Sequence, residues 1–106
     1  MLKKIQMIVY NITSKVRWEI VEPWLEWQLG EQIPATLTTK LFDGHQLYRL
    51  LEQDEEEGPT FVTQFFTTSI ERYQEFIIEF APALQQAGWD KWGNGFIAFR
   101  TLLESI

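Results

Sequence analysis

Gly44-His45-Gln46-Leu47-Tyr48-Arg49-Leu50-Leu51-Glu52-Gln53-Asp54-Glu55-Glu56-Glu57-Gly58-Pro59-Thr60-Phe61-Val62-Thr63-Gln64-Phe65-Phe66-Thr67 is the stretch on which the fold turns. Two alternating segments, Gln46 to Gln53 and Thr60 to Thr67, flank the acidic run Asp54 to Pro59. Tyr48, Phe61, Val62, Phe65 and the neighbouring threonines suit a pleated, half-buried surface, and the Gly-Pro step cannot continue either strand. The pattern predicts a β-hairpin.

Outward from the hairpin the chain is nearly symmetric. Met7 to Val16 alternates, with Ile8, Tyr10, Ile12 and Val16 on one face and Met7, Val9, Asn11, Thr13 and Lys15 on the other. Pro23 opens a helix that carries Trp24, Leu25, Gln28, Leu29 and Gln32 at helical spacing. Pro34 removes a backbone donor, so this helix is expected in two pieces ending near Thr39. After the hairpin, Thr68 and Glu71 have the spacing of a capping box. A helix with Ile70, Tyr73, Ile77 and Phe80 on its inner face follows, then a short piece from Pro82 to about Ala87, stopped by Gly88. Trp89 to Gly95 reads as a loop, and Phe96 to Glu104 alternates as the last strand.

The order strand, helix, strand, strand, helix, strand predicts an α+β, ferredoxin-like βαββαβ fold: a four-stranded antiparallel sheet with both helices on one face. Residues 7–106 form the expected single domain, after a weakly ordered N-terminal extension over residues 1–6. Every proposed strand carries apolar residues on both faces, which leaves one sheet face needing a cover. In so small a chain the simplest cover is a second copy, so a homodimer through the sheet face, a dimeric α+β barrel, is expected.

With the tightest hairpin turn, Arg49 lies opposite Gln64, Leu51 opposite Val62 and Leu47 opposite Phe66. Arg49 and Gln64 then share a face, and Asn11 and Arg100 are expected on one face with each other. These four polar groups, with Trp24 and Trp27 three apart on the first helix, are the ligand-pocket candidates. They read either as a satisfied buried network or as a pocket that orients a ligand.

Composition excludes several classes. A net charge of −6 with nine scattered Lys and Arg works against nucleic acid. No apolar run approaches the roughly 20 residues that cross a bilayer, and no secretory leader is read at the N-terminus. Zero cysteines remove thiol chemistry and fit a reducing compartment, which makes the cytoplasm the expected location. His45 is the sole histidine and has no placed partner; Ser69 reads as part of a helix cap. The run Asp54 to Glu57 lacks the spacing of a calcium loop and reads as a solvated turn that discourages edge pairing. No metal site and no cofactor is expected.

The chain resembles the dimeric α+β barrel superfamily, which includes antibiotic-biosynthesis and haem-degrading monooxygenases. It is more closely similar to an uncharacterised bacterial domain family through Met7-Ile8-Val9-Tyr10-Asn11, Trp24-Leu25-Glu26-Trp27, Ile33-Pro34, Asp54 to Thr60, Phe80-Ala81-Pro82-Ala83-Leu84 and Phe99 to Glu104. The resemblance implies the fold and carries no established activity. It implies a histidine just before Ile33, where this chain has Gln32. Haem-degrading relatives place an asparagine where Asn11 stands and an iron-ligating histidine on the second helix; this chain has none there. The sequence therefore supports a dimeric binding, structural or regulatory module. The alternative is a cofactor-independent monooxygenase-like or isomerase-like enzyme acting on a small apolar or aromatic substrate between sheet and helices. Whether the protein is an enzyme stays open at this level.

Overall fold

The computed structural model describes residues 6–106, so the expected extension at residues 1–6 lies outside the described residues except for Gln6. Strand β1 (Ile8–Val16) runs up the middle of the sheet. It pairs antiparallel with β3 (Thr60–Thr67) on one side and with β4 (Phe96–Glu104) on the other. Strand β2 (Gly44–Arg49) pairs with the outer edge of β3, which completes the order β2-β3-β1-β4. This is the ferredoxin-like arrangement, and β3 and β4 keep the bounds their alternation predicts.

The hairpin corrects the expected register. Arg49 faces Phe61 rather than Gln64, Leu47 faces Thr63 rather than Phe66, and β2 ends at Arg49 instead of Gln53. Leu51 lies beyond the paired residues. The tight-turn reading took the acidic run alone for the turn, whereas the amide of Leu50 donates to Thr60 O at 2.8 Å and the chain then makes a wide loop back to Pro59. That loop leans across the end of β1. Trp18 Nε1 donates to Glu55 O at 2.7 Å, Lys15 Nζ to Asp54 O at 3.3 Å, and the amide of Val16 to Pro59 O at 3.0 Å. The acidic stretch is therefore a tethered loop, not a freely solvated turn.

Between β1 and β2 the helix stays continuous through Pro34. After a 3-10 turn at Trp18–Ile20, α1 (Val21–Trp27) passes into a π-helical segment, Gln28–Gln32, and then into α2 (Ile33–Leu37). The amide of Ile33 donates to Gln28 O, five residues back. Widening the turn just ahead of Pro34 relieves the crowding its ring would impose on the carbonyl four residues earlier. A wide turn thus replaces the predicted break.

Helix α3 (Ile70–Glu79) is capped by Ser69, not by Thr68. Ser69 is extended, with φ −126° and ψ 117°, and its Oγ accepts from the Arg72 amide at 3.2 Å. Thr68 stands one residue too early for that reach. Replacing Ser69 with alanine is expected to cost about 1 kcal/mol. Thermal unfolding followed by circular dichroism should then show the midpoint falling by roughly 4–8 °C.

Phe80, at φ −120° and ψ −36°, breaks α3 from α4 (Ala81–Trp92). Helix α4 runs five residues beyond Ala87, straight through Gly88. A Cβ at Gly88 would meet Phe96 Cζ at 3.4 Å and Trp27 Cη2 at 3.6 Å, so this glycine allows close packing and does not stop the helix. The stop is Gly93, whose φ of +55° suits glycine. Trp89 and Trp92 accordingly lie on a helix, not in the predicted loop.

The helices pack on the sheet face formed by the even-numbered residues of β1. One core cluster joins Tyr10 and Phe65 to Ile33, Phe42, Phe76 and Ala81. A second joins Val16 and Phe61 to Trp24, with Trp92 and Phe96 packed against it. The aromatic content fills these clusters: Phe42 and Phe76 meet edge-on at 5.0 Å, and Trp24 stacks on Phe61 at 5.6 Å.

Candidate functional site

The six sequence candidates divide among four places. Asn11 and Gln64 lie opposite each other on the open face of the sheet, with Gln64 Nε2 donating to Asn11 Oδ1 at 3.1 Å. Arg49 is not beside Gln64. It ends β2, pairs with Glu55 through Nη2 at 2.6 Å and Nε at 3.2 Å, and lies 5.9 Å from the Trp18 ring centre. Arg100 faces Ile12 across the β1–β4 ladder, which puts it on the helix side, opposite to Asn11. Trp24 is wholly buried in the second core cluster, while Trp27 borders a cavity and meets Trp92 edge-on at 6.0 Å. The expected single pocket is therefore not formed: Asn11 and Gln64 meet on the open face, Arg100 and Trp27 line the helix-side cavity, and Arg49 and Trp24 belong to neither.

The open face has a polar centre within an apolar field. Asn11 Nδ2 donates to Thr13 Oγ1 at 3.3 Å and to Thr101 Oγ1 at 3.2 Å, while its Oδ1 accepts from Gln64. Both ends of the amide are thus used within one chain. Around this network stand Ile97, Phe99 and Leu103, exposed by 57%, 63% and 45%, with Val9, Val62 and Phe66 half-buried beside them. No described helix covers this side, since the helix-packing residues of β1 and β3 are those of opposite parity. Thr13 and Thr101 were not among the candidates; Thr13 shares the strand parity of Asn11 and could have been found by it, whereas Thr101 is placed beside Asn11 only by the β1–β4 register.

The helix side holds a cavity of about 50 Å³ between β1, β4, the π-helical segment and α4. Gln28, Gln32 and Thr36 reach it as a polar stripe repeating every four residues, a spacing visible in the sequence but not used. Gln32, where the resemblance implies a histidine, donates Nε2 to Leu84 O at 2.9 Å and so ties the π-helical segment to α4. Tyr10, Ser14 and Thr63 supply buried hydroxyls from the sheet. Among the described residues, Arg100 is the only charged one lining the cavity, and it is exposed, which puts it at the mouth. Burial pushes the Tyr10 hydroxyl above its ordinary pKa; the charge and hydrogen bonding of Arg100, and a hydrogen bond with Gln85, oppose that rise without cancelling it. Tyr10 is therefore a neutral hydrogen-bonding group at physiological pH.

Among the described residues, no cluster of three His, Asp or Glu side chains converges as a metal site, and no helix is long and apolar enough to cross a membrane. His45 lies at the start of β2 with its ring 6.4 Å from that of Phe65.

Solved structures show the same architecture at low sequence identity. A conserved protein of unknown function from Bacteroides thetaiotaomicron is 14% identical, with a TM-score of 0.67 over 96% of this chain and 100% of its own. A dimeric ferredoxin-like protein from an uncultured marine organism is 6% identical, with a TM-score of 0.59 over 97% of each chain. A proposed antibiotic biosynthesis monooxygenase from Bordetella bronchiseptica is 14% identical, with a TM-score of 0.56 over 93% of this chain and 95% of its own. At these identities the likeness establishes the fold alone. No curated protein matches the sequence. The profile of one family does, over residues 7–106, and the chain belongs to that family, the domain of unknown function DUF4286.

Proposed function

We propose that the protein acts as a homodimer whose two sheets meet face to face, and that it serves as a binding, structural or regulatory module. The observation that carries this reading is the open sheet face, where Ile97, Phe99 and Leu103 surround Asn11, whose amide is hydrogen-bonded at both ends to Gln64, Thr13 and Thr101. Burying large apolar side chains contributes about 1.5–3 kcal/mol each when burial is complete. A polar centre whose hydrogen bonds are already made can be desolvated at lower cost than an unpaired one, so Asn11 suits an interface better than a reacting site. A neighbour of the same fold is itself described as dimeric, which agrees with this arrangement. Light scattering after size-exclusion chromatography at micromolar protein should give twice the 12.6 kDa chain mass. A mass of one chain throughout the concentration range would refute the proposal.

The monooxygenase-like or isomerase-like alternative, on a small apolar or aromatic substrate, draws on the helix-side cavity and on the fold of one neighbour. The cavity volume of about 50 Å³ is far below the roughly 300 Å³ at which pockets for drug-sized ligands begin. An aromatic substrate would need the helices to move apart, and the geometry favours the module.

A further inference from the structure

The helix-side cavity combines features that a packing defect does not. Among the described residues, Arg100 is its one charged lining group and has no carboxylate partner, as is also true of Arg17, whereas Arg49 and Arg72 pair with Glu55 and Asp43. The polar groups nearest to it in role, Tyr10 and Gln85, are neutral. Trp27, Leu84 and Phe96 add apolar wall beside the buried hydroxyls of Ser14, Thr36 and Thr63. The π-helical segment, a feature frequent at functional sites, brings Gln28 and Gln32 to the same space.

We infer that this cavity binds a short-chain monocarboxylate, with its carboxylate on Arg100 and the Tyr10 hydroxyl and its carbon chain against Trp27, Leu84 and Phe96. Size, charge and polarity each narrow the class. About 50 Å³ offers room for three to five water-sized groups at roughly 10–15 Å³ each, which matches a carboxylate bearing one or two further carbons. A guanidinium fork complements the two oxygens of a carboxylate, and a neutral phenol can donate a further hydrogen bond to it. One cation suits a monoanion, whereas a phosphate dianion would leave charge uncompensated where no second cation lines the site among the described residues. The proposal is independent of the homodimer, because Arg100 and Asn11 point to opposite faces of the sheet.

Isothermal titration or amide chemical-shift mapping of the intact chain with propanoate, propanamide and inorganic phosphate tests it. Propanoate should bind and shift amides of β4 and the π-helical segment, while the isosteric amide and phosphate bind at least about tenfold more weakly. Arg100→Gln should weaken propanoate about tenfold to a hundredfold, Arg100→Lys should restore part of that loss, and Tyr10→Phe should weaken it several-fold. Arg100 is exposed on an edge strand, so its variants should fold as the parent does, which circular dichroism checks. Equal binding of propanamide, preference for phosphate, no binding of propanoate, or an Arg100→Gln variant that binds like the parent would each overturn the assignment. The oligomeric mass, measured on the same samples, reports on the dimer separately.

Discussion

Gly58→Ala is expected to be among the most damaging single-methyl changes in the chain, lowering stability by about 3 kcal/mol or more. Gly58 is buried where the acidic loop returns to the sheet, and an added Cβ would fall within contact distance of the Val16 carbonyl oxygen. It would also stand 2.7 Å from Val16 C and 3.0 Å from Arg17 Cα. All three atoms are backbone, so no rotamer change can make room. Val16 is itself fully buried, and its amide donates to Pro59 O, so the loop can retreat only by losing that bond and those around it. Net stabilities of domains this size are about 5–15 kcal/mol, which makes the loss a large fraction of the whole. Urea unfolding should show a much lower midpoint with little change in slope. A suitable control is Gly30→Ala, where nothing lies within 4 Å of the new methyl group. A Gly58→Ala protein as stable as the parent would mean that the loop does not approach β1 this closely.

Phe99→Asp is expected to convert the proposed dimer to a monomer while leaving the fold in place. Phe99 lies on β4 opposite Thr13, on the open face, and is 63% exposed in the single chain. Its loss should therefore shift monomer stability by no more than about 0.5 kcal/mol, the range typical of surface positions. In the proposed interface, however, the new carboxylate would be desolvated without a partner, and the dyad would place a second one on the facing sheet. Such a penalty is several kcal/mol, or at least about a hundredfold in the dimer dissociation constant. Light scattering should report a single-chain mass with an unchanged circular dichroism spectrum. A variant that stays dimeric would put the interface on another face.

Strand alternation made the two sides of each strand legible in the sequence, because successive side chains of β1, β3 and β4 point to opposite faces. Which sides of different strands belong together was not legible: the reading joined Gln64 to Arg49 and Asn11 to Arg100, whereas the sheet joins Asn11 to Gln64. The bounds of β3 and β4 were readable, because glycine or proline stands just before each first residue. Helix ends were harder. Gly88 looks like a stop in isolation, and only the closeness of Phe96 and Trp27 shows why a glycine is needed mid-helix. Pro34 looks like a break, and only the π-helical segment ahead of it shows how the chain avoids one. The cavity was the least visible feature, since it needs Tyr10 from β1, Gln28 from the helix and Arg100 from β4 at once.

The sequence by itself determined the order of elements, the ferredoxin-like fold that this order implies, and which residues share a side within each strand. These are local properties, because side chains alternate along any extended segment whatever lies beside it. The relation between strands was decided by tertiary structure. Arg100 pairs with Ile12, and a shift of one position would have put it on the face of Asn11, the face the sequence reading expected. Arg49 faces Phe61 because the loop from Leu50 to Pro59 is wide and tethered to β1. Parity within a strand is written in its residues, but parity between strands depends on register, and register is set by loops and packing that lie far along the chain.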